Sequence, residues 1–295
     1  MIGLLSAGGS PGVTTTALGL GSVWPTPVAV VDADPSGGDM LIGAGAGLLA
    51  PQGHLLELTL LARQSHLPRF LDQQLTTMPT GVPVLAGLGD PAQAGAVPWP
   101  ALADGLRAVT HRDVIVDLGR WGIPHAASPV LRCCDVIVLV VRTNLRSLRR
   151  AERVLPLIRH DLDRHNPGHP GVDLLVVAES TAFSSADISR RLGVRALGEL
   201  AHDPRTAAVF SEGATAGRHA ERSPLVRSLA ELASTAGLLG QHRRNMWSPA
   251  GPATGVPVRT PASEPYPTHD PASGLREMPR HLRRLTAVPP TVGHR

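Results

Sequence analysis

Short apolar runs recur along the chain at Ile2–Leu5, Val28–Val31, Val82–Leu88, Val114–Val116, Val136–Val141, Val172–Ala178 and Val194–Leu200. They show almost no polar alternation, the pattern of strands covered on both faces. Between them apolar residues fall at helical spacing. Residues 40–78 read as mostly helical, around Leu55, Leu56, Leu58, Leu60 and Leu61 and again at Phe70 and Leu71. Further helices are predicted over Ala101–Val109, Arg142–Arg159 (basic, interrupted late by Pro156), Ser185–Leu192, Arg205–Ser211 and Ser223–Leu239. Strands alternating with helices predict an α/β fold, a mostly parallel, doubly wound sheet with helices on both faces. Such sheets bind ligands at the carboxyl ends of their strands. After Gly240 the pattern stops. Ten prolines lie between Pro249 and Pro290, so residues 1–240 are expected to form the folded domain and 241–295 a Pro/Arg-rich disordered tail.

The polar residues that interrupt the strand pattern gather at strand ends. The first strand runs into Ser6-Ala7-Gly8-Gly9-Ser10-Pro11-Gly12-Val13-Thr14-Thr15-Thr16, followed by a small-residue run to Val23. A strand, a Gly-rich turn and a helix start aim backbone N–H groups at an anion. The spacing is that of a phosphate-binding P-loop, with Gly12-Val13-Thr14 where Gly-Lys-Ser/Thr is expected. Gly8, Gly9, Ser10, Gly12 and Val13 would form the cradle, Thr14 would offer its hydroxyl to Mg²⁺, and Thr15 would contact a phosphate. Pro11 removes one N–H from the cradle. The second strand ends in Asp32-Ala33-Asp34-Pro35, and Asp113–Gly119 has the form of a Walker B strand ending in Asp117. By position, Asp117 would hold Mg²⁺ through water, Asp32 would support the metal shell, and Asp34 would polarise an attacking water. One site can gather the loop and both acidic tips.

Composition changes this picture in one respect. The chain has no lysine, so all 28 basic residues are arginine, and the cradle lacks its point charge. Val13 cannot offset phosphate charge, and stabilising that charge is most of phosphoryl-transfer catalysis. Arg120 or Arg142 could fill the gap, although a solvated surface arginine is the commoner meaning of each. Eight arginines against three acids follow Gly240, so with a whole-chain charge of +4 the body carries about −1, which gives no global reason to expect nucleic-acid binding. Aromatics are few, 3%, so the core must rely on Val, Leu, Ile and Ala. Adjacent Cys133 and Cys134 rarely bridge and point to a reduced, cytoplasmic protein. Ile2–Leu5 has no basic flank and reads as a strand, and no uncharged apolar stretch is long enough to span a bilayer.

These motifs resemble the ParA/MinD family of deviant Walker ATPases. Ser6–Thr15 aligns without gaps to that family's Ser-Gly-Lys-Gly-Gly-Val-Gly-Lys-Thr-Thr type of loop. Gly9, Gly12, Thr14 and Thr15 match. Gly8 stands at the signature lysine and Val13 at the Walker lysine. Asp32–Pro35 resembles the Asp-x-Asp-Pro motif, Asp117 the Walker B aspartate, and Gly193–Pro204, with Asp203, the strand that runs into the adenine-side loop. The resemblance implies the family's fold, ATP and Mg²⁺ as cofactors, a homodimer, and a role in positioning DNA, division sites or secretion and pilus machinery. Since Gly8 cannot reach across a dimer as the signature lysine does, it further implies a degenerate member with weak or no ATP hydrolysis. The alternative is an active Mg-ATPase that uses an arginine in place of the lysine.

Three weaker signals remain. Arg146, Arg149, Arg150 and Arg153 share one helix face, which is commonly just solvated but would also suit nonspecific DNA-backbone contact. His160, His165 and His169 read as surface residues without metal-like spacing, and neither cysteine has a nucleophile's context. Leu275–Val288 has an apolar and a basic side if helical, but two or three turns offer little area, so membrane contact is not expected.

Overall fold

The structure is a computed structural model and describes residues 1–47, 49–50, 54–62, 67–122, 125–179 and 183–246. The chain divides into two units, Met1–Ser248 and Pro249–Arg295. The second lies outside the described residues, as does the amphipathic segment expected over Leu275–Val288.

In chain order the elements are β1 (Ile2–Ser6), α1 (Val13–Val23), β2 (Val28–Asp32), α2 (Met40–Ala44), α3 (Leu55–Ala62), α4 (Pro68–Gln74), β3 (Thr76–Thr77), β4 (Pro83–Leu85) and α5 (Trp99–Arg107). Then follow β5 (Asp113–Arg120), α6 (Ser128–Arg132), β6 (Val136–Arg142), α7 (Leu145–His165), β7 (Val172–Ala178), α8 (Ser185–Leu192), β8 (Ala196–Ala201), α9 (Pro204–Ser211) and α10 (Pro224–Met246). A 3₁₀ turn at Pro91–Ala96 opens with a capping box between Asp90 and Gln93.

The strands form one sheet in the order β3-β4-β2-β5-β1-β6-β7-β8. All pairings are parallel except that of β3 with β4. β1 is central, and the chain crosses from one side of it to the other after β5, the kind of switch point at which such sheets bind ligands. The absence of polar alternation has a direct cause. Along β1, Leu5 packs into a core beneath α3 to α8, while Ile2 and Leu4 pack into a second core beneath α1, α2, α9 and α10. Every side chain of β1 and β2 is buried.

Helix packing on the second face uses glycine where α1 meets α10. A Cβ at Gly19 of α1 would lie 2.7 Å from Cδ1 of Leu229 of α10, so the two helices meet without a side chain between them.

The structure departs from the expected elements where local pattern was weakest. Residues 40–78 hold three short helices and the edge strand β3, because Gly45 caps α2 and Leu75 turns extended after α4. α7 continues through Pro156 to His165, and α10 runs to Met246, past the expected end at Leu239. α6 was not expected; it has Pro129 in its first turn. Among the described residues, no helix is long and apolar enough to cross a membrane.

Candidate functional site

β1 ends under a loop whose backbone no chain of ordinary residues would adopt. Gly8 (φ +117°), Gly9 (+86°) and Gly12 (+101°) lie in the left-handed region, and so does Ser10 (+48°). Glycine occupies such positions without steric cost. The non-glycine Ser10 is held there by Arg142 at the end of β6, whose Nη2 donates to the Ser10 carbonyl (2.9 Å). Gly12 precedes α1 with no side chain capping the helix, so the amides of its first turn remain directed out of the N-terminus. Thr16 Oγ1 donates back to the Gly12 carbonyl (2.7 Å) and fixes the junction.

The acidic strand tips meet this loop. Asp32 and Asp117 are paired positions of adjacent strands, and the amide of Ala33 donates to the Asp117 carbonyl (2.8 Å). Thr14 Oγ1 donates to Asp117 Oδ2 (2.6 Å), and the Gly119 amide to Asp117 Oδ1 (2.8 Å). Thus the expected hydroxyl and carboxylate are in direct contact. Burial raises the Asp117 carboxyl to about 6, against the lowering effect of Thr14 and Gly119. Burial, then the charge of Asp117, holds Asp32 well above the usual carboxylate range. Asp32 is 2% exposed and enclosed by Gly38 and Gly87; a Cβ at Gly87 would lie 2.7 Å from its Cγ. Asp34 is also raised by burial, partly countered by hydrogen bonds from Ser36, and a Cβ at Gly119 would overlap its carboxylate.

A cleft of about 530 Å³ opens beside the loop. Ser10, Gly12, Val13, Thr14, Thr15, Asp34 and Arg120 border it on one side. Val177, Leu200, His202, Asp203, Pro204, Ala207 and Glu212 border it on the other. Asp117 stands behind Thr14, and Asp32 deeper still, so of the three acids only Asp34 faces the cleft. Val13, at the lysine position, is 7% exposed and belongs to the core beneath α1. Both carboxylate oxygens of Asp203 engage Thr206 and cap α9, which leaves its role at the cleft rim structural at least in part.

Several residues stand differently from expectation. Arg142 is no free surface group: its Nη1 also donates to Glu179 Oε1 (2.9 Å), and Asn144 Nδ2 donates to Glu179 Oε2 (2.7 Å). It braces the loop and cannot swing toward Val13 without releasing it. Glu179, at the tip of β7, was missed, although a lone acid after an apolar strand is a readable signal. His169 is half-buried rather than exposed; it meets the Cys134 carbonyl through Nε2 (2.8 Å), and burial lowers its pKa. On α7, Arg146, Arg149 and Arg153 are exposed, but Arg150 is half-buried.

The geometry suits a nucleoside phosphate: N–H groups without side-chain competitors, a hydroxyl beside a carboxylate, and a partly apolar far wall. It also suits Mg²⁺ held mainly by phosphate and water. Among the described residues no three His, Cys, Asp or Glu side chains could hold a metal by themselves, and Mg²⁺ in such sites takes few protein ligands.

No family model and no curated protein matches the chain. Solved structures do. A ParA family ATPase from Chlorobium tepidum superposes with a TM-score of 0.63 at 18% identity, covering 79% of this chain and 96% of that one. The septum site-determining protein MinD from Pyrococcus horikoshii, complexed with Mg-ADP, gives 0.62 at 17% identity, with 82% and 99% covered. A plasmid partition protein from Borrelia burgdorferi bound to AMPPNP gives 0.60 at 12% identity, with 80% and 98% covered. The chain therefore has the ParA/MinD fold over most of its length.

Proposed function

We propose that this chain is a ParA/MinD-like positioning factor that binds a nucleoside phosphate with Mg²⁺ in the cleft and hydrolyses it weakly or not at all. The observation that carries the reading is the Thr14–Asp117 contact beneath the first turn of α1, combined with the burial of Val13. The first would serve a bound Mg²⁺; the second leaves the phosphates without the usual lysine. Thr14 and Asp117 would hold the ion, which when bound would screen phosphate charge. The loop amides would orient the phosphates, and Asp34, facing the cleft, would take a hydrogen bond from a water there. The far wall at Leu200 and Pro204 would cover the base.

A septum site-determining protein and a plasmid partition protein among the structural neighbours support a positioning role. A homodimer and a partner protein of a partition or secretion system belong to the same reading. The exposed guanidinium groups of Arg146, Arg149 and Arg153 would be the DNA-facing set. Turnover of ATP by the full chain, beside Asp34→Ala and Asp117→Ala, tests the weak-hydrolysis part of this reading. Turnover at or near background is expected. Brisk turnover that both substitutions abolish would reject it in favour of an active Mg-ATPase that draws its cation from arginine.

A further inference from the structure

The outer rim of the glycine loop carries two guanidinium groups from distant parts of the chain. A Cβ at Gly9 would overlap Nη1 of Arg150. One at Gly8 would lie 3.5 Å from Cδ and 3.6 Å from Nε of Arg120, and 3.7 Å from Cδ of Arg150. Both glycines are in the left-handed region, so a side chain there would be strained as well as obstructed. Gly8 is where a lysine would project, and the space beside it is taken by two arginines. They arrive from different elements, Arg120 at the end of β5 and Arg150 from α7.

Neither guanidinium has a hydrogen bond or ion pair among the described residues, whereas those of Arg142 and Arg149 are engaged. Arg149 pairs with Glu152 (3.6 Å), and Arg142 with Glu179. The charge of Arg120 lowers the Asp34 carboxyl against the larger effect of burial, without an ion pair between the two. Two like charges brought to one pair of glycines repel, and the half-burial of Arg150 adds a desolvation cost. An anion between them offsets both. Arg120 also borders the cleft, so such an anion is continuous with anything bound at Gly12–Thr15.

We propose that Arg120 and Arg150 bind the terminal phosphate of a nucleoside triphosphate and so supply, from within one chain, the positive charge that Val13 lacks. This rests on the cleft being a nucleotide site. It makes the pair a sensor of phosphate number: a diphosphate engages the loop amides, and a triphosphate engages the arginines as well.

The test is calorimetric titration of Mg-ATP and Mg-ADP into the full chain and into Arg120→Ala, Arg150→Ala and Arg150→Gln, with Arg190→Ala as a surface-charge control. Each change at 120 or 150 is expected to weaken ATP binding about tenfold or more while ADP stays within about twofold, the mark of a lost charge-assisted contact to one phosphate. Arg190→Ala leaves both affinities unchanged. Equal losses for ATP and ADP would assign the arginines to loop support and overturn the proposal, as would no loss for either. If the unsubstituted chain binds neither nucleotide, the nucleotide-site reading falls and this inference with it. Binding of both that ignores the substitutions overturns this inference alone.

Discussion

Asp117→Asn should make the ligand-free protein more stable at neutral pH. Asp117 is 1% exposed, in a pair with buried Asp32, and its carboxyl is raised from 3.8 to about 6. A raised folded-state pKa favours folding while the group is protonated in both states. That contribution is complete below about pH 4 and is lost as pH rises through about 6. A shift of roughly two units corresponds to about 3 kcal/mol withheld from the native state at pH 7. Asparagine approximates the protonated acid: its oxygen can accept from the Gly119 amide, and its amide can donate to Thr14 Oγ1. Removal of the charge also relieves Asp32, whose carboxyl Asp117 helps to raise. Urea unfolding of the wild type and Asp117→Asn between pH 4 and pH 8 measures the effect. The curves should coincide near pH 4 and separate by about 2–3 kcal/mol in favour of the variant above pH 7. A variant that is less stable than wild type at pH 8, or a difference independent of pH, would refute the reasoning.

Two further substitutions probe the frame of the site. Gly119→Ala places a Cβ on the Asp34 carboxylate at a φ of +62°, so it should cost about 1–3 kcal/mol in chemical denaturation and weaken Mg-nucleotide binding. A change within about 0.5 kcal/mol would show that Asp34 has room to move. Leu229→Ala removes a side chain, 1% exposed, that packs on Gly19 and borders the cleft, and should cost about 2–5 kcal/mol with an unchanged denaturant slope. A cost below about 1 kcal/mol would mean that α10 collapses onto α1 and fills the gap.

The parallel sheet was legible because its strands are covered on both faces, which leaves uninterrupted apolar runs such as Val136–Val141. The loop was legible because its left-handed positions demand glycine at fixed spacing. The acidic tips were legible because an aspartate closing an apolar strand has no packing reason to be there. Elements set by long-range contact were not. Thr76 and Thr77 form a strand only through antiparallel pairing with β4, and nothing local marks them. Sequence grouped Arg150 with Arg146, Arg149 and Arg153 on one helix face. Its turn toward Gly9 depends on β6 lying next to β1, which places α7 beside the loop. His169 likewise meets Cys134 only across the fold.

Calorimetric titration of ATP into the chain, with and without Mg²⁺, bears most directly on the cleft. Saturable 1:1 binding that strengthens with Mg²⁺ and is lost in Asp117→Ala is the predicted result. Heats that show no binding under either condition, in a protein whose circular dichroism confirms that it is folded, would contradict it.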